Sequence, residues 1–187
     1  ASQVYGIALE DVTKNQRRDA KVINFGILYG MSPHGLSVAT GMSPTDAKDF
    51  IDRYFKLRKP LLDYMEATKK AAEEQGYVET LFGRRRPTPD VKSSNYVVRE
   101  AAFRAAINHP IQGTEADLMK MAMIKIDEQL DDDSRQILQI HDSIMVEVPE
   151  NKADAIAQMM KKTMEEIYKL SVNLDVDVSV GLNWGDL

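Results

Sequence analysis

Arg17, Lys21, Phe25 and Tyr29 follow one another at intervals of four, so in a helix they would form one stripe of two cations followed by two aromatic rings. At about 100° per residue, Lys21, Phe25 and Tyr29 fall roughly 40°, 80° and 120° around the axis from Arg17. Ala20, Ile23 and Ile27 fall on the other side, at roughly 300°, 240° and 280°. Such a helix buries one face and displays charge, charge, ring, ring on the other. A nucleoside triphosphate has the same order of parts: phosphates that cations hold, then a sugar and a base on which rings pack. An amphipathic helix with its rings at a core margin has the same spacing, and spacing alone does not separate the two.

A second candidate is His141-Asp142, which separates the apolar-rich runs Gln136–Ile140 and Ser143–Val148. Both flanks have the composition and partial alternation of half-buried strands, so the pair would form the tip of a hairpin. Tight hairpins usually take Asn-Gly or Asp-Gly there. An imidazole and a carboxylate held on a turn can do chemistry, although a His-Asp turn need do none. His141-Asp142-Ser143 is not a hydrolase triad. Consecutive residues of extended backbone face alternate sides and cannot form the required chain of hydrogen bonds.

Helices must position most of these groups. Thr13 with Gln16 has capping-box spacing and predicts a helix over 14–29, with Gly30 past its end. Ser43-Pro44 and Asp46 start a second helix toward Leu57, and Pro60 opens a third that ends near Gly76. The stretch 77–90 reads as a short strand, a glycine turn and a proline-stiffened loop. A helix over 94–108 is expected to stop at Pro110, and Thr114 is expected to cap the next, over 114–130. Asp131-Asp132-Asp133 reads as a solvated turn. After the hairpin come a helix over 152–170 and a last strand over 176–180, on which Asp175 and Asp177 would share one face. Helices with a few late strands make the class α+β.

Composition excludes several roles. The chain has 187 residues, 43% hydrophobic and 28% charged, which suits one large or two small soluble domains with a real core. It has no cysteine, so disulfides and cysteine-ligated zinc are excluded. Neither a membrane span nor a signal peptide is visible, and a cytoplasmic location is expected. The net charge of −5 runs against nucleic acid as a partner, but Arg17-Arg18 with Lys21, and Arg84-Arg85-Arg86, are local basic clusters. The opening residues read as helical without a start signal, as in a chain cut from a longer one.

"RRDAKVINFGILYG", residues 17–30, closely resembles the fingers helix of family A DNA polymerases, the bacterial DNA polymerase I type. Arg, three residues, Lys, three residues, Phe or Tyr, three residues, Tyr-Gly is that family's pattern. The resemblance implies that Arg17 and Lys21 hold an incoming deoxynucleoside triphosphate, with Lys21 also catalytic, that Phe25 packs on the deoxyribose, and that Tyr29 sits by the templating base. Phe at position 25 is the family variant associated with discrimination against dideoxynucleotides. "EQGYVETLFGRRRPTPDVKSSN" resembles the family's connecting segment, which implies that Arg84, Arg85 and Arg86 lie near the template strand. Adjacent cations there would neutralise backbone phosphates. "REAAFRAAINHPIQGTEADLMK" is similar to its palm segment, so Arg104, Asn108 and Gln112 are expected to contact primer and template in the minor groove. Donors there test the shape of a pair without reading sequence.

"QIHDSIMVEV" resembles the hairpin on which the family carries His-Asp-Glu. By that resemblance Asp142 is one of two carboxylates that hold magnesium, and His141 touches the primer-terminal nucleotide. Ser143 stands where the family usually has Glu. The family's other metal-binding Asp, in a motif of the form Asp-Tyr-Ser-Gln-Ile-Glu, does not occur in these residues. The implied whole is a fragment of a right-hand polymerase, fingers over 1–76 and connecting segment with later palm over 77–187. Its parent would be a two-magnesium, template-directed DNA polymerase, with primer-template DNA, deoxynucleoside triphosphates and the remaining polymerase domains as partners, no membrane, and a place at the nucleoid if bacterial. One metal carboxylate cannot replace two, so the fragment alone is expected to be inactive. The competing class is a non-catalytic nucleic-acid-binding module on the same fold. A purely structural helical protein leaves the ordered motifs unexplained.

Overall fold

The structure, a computed structural model, describes residues 1–186, the side chains of Gln3 and Asp19 excepted. It is α+β and mostly helical, with two small two-stranded sheets. Residues divide into two compact units. The first holds Ala1–Val78 and Arg85–Asn108, the second Glu79–Arg84 and His109–Leu187. Among the described residues no helix is long and apolar enough to cross a membrane.

The first unit begins with a single turn, α1 (Ser2–Tyr5), followed by α2 (Lys14–Leu28). Its capping box is complete: the Thr13 hydroxyl accepts from the Gln16 amide, and the Gln16 side chain accepts from the Thr13 amide. The helix ends in two bonds that wrap back over its last turn, Gly30 N–H to Ile27 O and Met31 N–H to Gly26 O. This closure needs a left-handed residue after the cap, and Gly30 supplies it at φ 80°.

A helix absent from the sequence reading follows: α3 (Pro33–Thr40), whose N-cap Ser32 accepts from the Gly35 amide. Its signal, Ser-Pro, is the one that also starts α4 (Pro44–Leu57). Then come α5 (Lys59–Gln75), closed by Gly76 in the left-handed region, and β1 (Tyr77–Glu79) paired with β2 (Arg85–Pro87) around a Gly83 turn. Ile23, Ile27, Leu36, Ala47 and Tyr54 form one core, and Ala72, Val78, Val91, Phe103 and Ala106 another.

Pro110 does not end a helix. A single helix, α6 (Tyr96–Asp127), passes through it. Asn95 caps its start by accepting from the amides of Val97 and Val98. The missing proline N–H costs one rung of the ladder, the bond to Ala106 O, and two neighbouring carbonyls take side-chain donors as well. Tyr64 Oη donates to Ile107 O at 2.9 Å, and the Thr114 hydroxyl donates to Pro110 O. Thr114 is therefore an interior residue that bonds back to the preceding turn, not an N-cap. Gln112 is likewise presented from an intact helix.

In the second unit, Leu118, Ala122 and Ile126 are buried at intervals of four along α6. β3 (Arg135–Ile140) and β4 (Ser143–Glu147) form an antiparallel hairpin with an irregularity between Gln136 and Leu138. Gln136 Nε2 ties β3 to α6 by donating to Met123 O at 2.8 Å. Asp131 and Asp133 both pair with Lys152, at 2.6 and 3.0 Å, so this turn is latched as well as solvated. α7 (Ala153–Glu165) is shorter than the predicted 152–170. The expected strand over 176–180 does not form, because those residues pair with no neighbouring strand among the described residues.

Leu36 is fully buried on α3 whereas Val38 on the same helix is 73% exposed. Leu36→Ala should lower unfolding stability by about 2–5 kcal/mol, and Val38→Ala should change it by less than about 0.5 kcal/mol. Denaturant titration of the two variants measures the difference.

Candidate nucleotide and nucleic-acid site

One candidate region lies on α2. Ile23 and Ile27 are 4% and 1% exposed, while Phe25 and Tyr29 are 50% and 40% exposed, and Arg17 and Lys21 also face solvent. The helix is set with the apolar face inward and the stripe outward, as its spacing required. The two rings lie nearly parallel, 12° between planes and 6.3 Å between centroids, and so form one flat apolar surface beyond the cations. Among the described residues neither Arg17 nor Lys21 makes an ion pair. The other lysine-bearing helices differ: on α4 Lys48 pairs with Asp52 at 2.8 Å, and on α5 Lys59 pairs with Asp63 at 2.7 Å.

Asn24 fixes this rotational setting. Its side-chain oxygen accepts from Tyr54 Oη at 2.6 Å, and Tyr54 is a buried residue of α4 capped by the Arg58 guanidinium 4.2 Å from its ring centre. The sequence reading missed both residues. Burial holds the Tyr54 hydroxyl above its ordinary pKa, opposed by the nearby Arg58 charge, so it stays a donor across neutral pH. Arg104 also belongs to this unit. Its aliphatic stem passes over the Gly30 backbone, where an added Cβ would meet Cγ and Cδ at 3.6 Å, and its exposed end lies beside the Tyr29-Gly30 turn.

A separate candidate region, in the second unit, is the hairpin tip. His141 and Asp142 are the two residues between the Ile140–Ser143 partners, and both are exposed. His141 takes φ 51°, the left-handed region that a non-glycine residue enters at a cost of about 1 kcal/mol or more. Local bonds hold it there: Gln139 Nε2 donates to His141 O at 2.6 Å and the Ser143 hydroxyl donates to Ile140 O at 2.9 Å. Ser143 therefore closes the turn with its own side chain. Glu115 of α6, a further residue missed in the sequence, senses the tip. Desolvation raises its carboxyl pKa first, the Asp142 charge raises it further, and His141 opposes.

A carboxylate on an exposed, braced turn is the donor type that magnesium takes, since this ion binds through one or two carboxylates together with substrate phosphates and water. Asp142 fits that description, with Glu115 as a second carboxylate close enough to feel its charge. No group of three or more acidic or histidine side chains forms a closed metal cage among the described residues.

The three adjacent arginines have different surroundings. Arg84 Nε donates to Asp117 Oδ1 at 2.6 Å. Arg85 stacks 4.4 Å over the Tyr77 ring centre. Arg86 is exposed and makes no ion pair among the described residues. Asn108 is half-buried, and Gln112 is exposed and spaced four residues after it on α6.

Asp117 has the most buried carboxylate of this region, its side chain 7% exposed. Burial alone would raise its pKa, but the bonds from Arg84 and from Thr80, with the Arg84 and Lys120 charges, outweigh it and hold the group below the ordinary carboxylate value. A carboxyl depressed in the folded state contributes stability that is present above the unfolded pKa of about 3.9 and lost as pH falls through the folded value. The stability difference between the unaltered protein and Asp117→Asn should be constant above about pH 5 and shrink steadily below about pH 4. Urea titrations across that range read the difference.

Comparison with known proteins covers the whole chain. The sequence pattern of DNA polymerase family A matches residues 1–186. The chain is 46% identical to DNA polymerase I of Pseudomonas aeruginosa, aligned over 100% of this chain and 21% of that protein. It is 47% identical to DNA polymerase I of Deinococcus radiodurans, over 100% of this chain and 20% of that protein. With the thermostable DNA polymerase I of Thermus aquaticus the identity is 45%, over 98% and 22%. The chain thus spans about a fifth of the length of the curated relatives it matches. Among solved structures, the POL domain of Pol1 from M. smegmatis, in complex with DNA primer-template and dNTP, superposes with a TM-score of 0.85 at 38% identity, covering 93% of this chain and 31% of that one. On pattern, sequence and fold together, this chain belongs to DNA polymerase family A.

Proposed function

We propose that this chain carries the nucleotide-binding fingers (1–76) and the later palm (77–187) of a template-directed DNA polymerase, which adds deoxynucleotides to a primer 3′-hydroxyl. The observation that supports it best is the outward stripe of α2, where two cations that make no ion pair among the described residues precede two stacked, exposed rings. Arg17 and Lys21 bind the triphosphate; their flexible donors match phosphate oxygens and neutralise its charge. Phe25 presents a flat face to the deoxyribose, and Tyr29 fills the place beside the templating base until a paired nucleotide enters. Because Lys21 faces developing charge on the departing pyrophosphate, it acts in the chemical step as well as in binding.

Asp142 holds magnesium, with Glu115 close by, and His141 orients the primer terminus. When bound, magnesium lowers the charge barrier between the anionic triphosphate and the attacking hydroxyl. The rigid hairpin keeps Asp142 from moving as that charge shifts. Arg104, Asn108 and Gln112 hold the minor groove through acceptors common to all pairs, which serves a copier indifferent to sequence. Arg86 neutralises a backbone phosphate. The protein acts in the cytoplasm on chromosomal DNA, with the remaining polymerase domains.

In the full-length protein, Asp142→Ala should cut primer extension by at least about a thousandfold, since several kcal/mol of transition-state stabilisation is lost, while primer-template affinity persists. A non-catalytic binding module would show no such loss. Lys21→Ala should raise the apparent KM for deoxynucleotide by roughly ten- to a hundredfold, the cost of one or two charge-assisted bonds. Steady-state extension assays measure both. A polypeptide of only these 187 residues lacks an Asp-Tyr-Ser-Gln-Ile-Glu segment. It should extend a labelled primer no faster than a protein-free control.

A further inference from the structure

Arg84 sits first in a run of three cations, and its charge already has a partner inside the protein. Asp117 Oδ1 lies 2.6 Å from Arg84 Nε, and Asp117 Oδ2 accepts from the Thr80 hydroxyl at 2.8 Å. The Thr80 oxygen in turn accepts from the amides of Arg84, at 3.1 Å, and Phe82, at 3.3 Å. At the tip, the Leu81 amide donates to Thr114 Oγ1 at 2.9 Å. The Thr80 side chain approaches α6 closely: a Cβ on Gly113 would meet Thr80 Cγ2 at 2.6 Å. The turn is thereby tied to one stretch of α6, Gly113 to Asp117, which directly follows Gln112.

We propose that Asp117 is a positioning residue that makes Arg84 a strut between the 79–84 turn and α6, and that Arg84 is therefore not a phosphate ligand. This rests on the reading of the protein as a DNA polymerase. The Arg84 side chain is 56% exposed, so access does not decide the matter. Charge does. A guanidinium neutralised by a buried carboxylate releases few counterions when a phosphate approaches, and the carboxylate repels that phosphate. Lys120, 4.0 Å from the same Asp117 oxygen, adds a second cation to the pair. The depressed pKa of Asp117 is consistent with a carboxylate ionised throughout the neutral range. Correct placement of Gln112 then depends on a contact that never touches DNA.

Salt dependence separates a strut from a ligand, because each neutralised phosphate contributes about 0.9 to the slope of log Kd against log salt for duplex DNA. Primer-template binding by the full-length protein is measured by fluorescence anisotropy at several salt concentrations, for the unaltered protein, Arg84→Gln, and Arg84→Gln with Asp117→Asn. The double variant removes the buried charge that the single one leaves unpaired, so it remains informative where Arg84→Gln folds poorly. The expected result is a slope unchanged from the unaltered protein in whichever variants fold, with thermal stability lower in the single variant and partly restored in the double. A slope shallower by about one in either variant overturns the proposal and makes Arg84 a phosphate ligand. Absence of salt-dependent primer-template binding by the unaltered protein overturns the polymerase reading, and this proposal with it.

Discussion

The rotational setting of α2 is the constraint on which the proposed nucleotide face depends. A turn of the helix by one residue, about 100°, would carry Lys21 into the core and put Ile23 or Ile27 in water. Burial of those two isoleucines opposes that rotation, each worth about 1.5–3 kcal/mol against exposure. The Tyr54–Asn24 bond adds direction to what is otherwise a non-directional force. At the C-terminal end, the left-handed Gly30 stops the helix one residue after Tyr29, so the ring sits on the last turn and not within a longer cylinder. Hydrophobic burial, one half-buried hydrogen bond and one glycine thus decide which way Arg17, Lys21, Phe25 and Tyr29 point.

The hairpin tip solves its positioning problem differently. It has no apolar face with which to anchor His141 and Asp142, because both are exposed. Rigidity comes instead from a strained backbone over-determined by short bonds, Gln139 to the His141 carbonyl and Ser143 to the Ile140 carbonyl. Ser143 explains how this chain departs from its family's usual Glu without losing the turn. A hydroxyl at this place can fold back and close the bend, whereas a carboxylate has no proton to donate to that carbonyl.

What the sequence made legible was local. The Thr13–Gln16 box, the Ser-Pro starts, the glycine closures and the hairpin all follow from interactions within a few residues, and all except the start at Ser32 were read from them. The failures at Pro110 and over 176–180 share a non-local cause. Pro110 reads as a stop because its missing N–H is visible in sequence, while the contacts that hold the helix on either side of it, among them the Tyr64 bond to Ile107 O from 43 residues away, are not. The strand expected over 176–180 has the right residue types, but strand formation needs a partner edge, and composition cannot supply one. The α2 stripe was fully legible as a pattern. Asn24 and Tyr54, which orient it, were not, since their contact spans 30 residues.

Charge follows the same division between local and distant. A net charge of −5 is a poor guide to where anions can approach when the charges are segregated by their partners. On α4 and α5, exposed pairs four residues apart cancel along the helix, as do Lys48 with Asp52 and Lys59 with Asp63. Between the strands of the hairpin, Arg135 meets Glu147 at 2.6 Å. Arg17 and Lys21 have no such neighbour among the described residues, so their field reaches outward over the Debye length of roughly 8–10 Å. An acidic protein can thus present a basic surface to an anion wherever its carboxylates are committed elsewhere. By the same logic, three consecutive arginines need not make three phosphate contacts, because a cation binds an outside anion only to the extent that an internal one has not already claimed it.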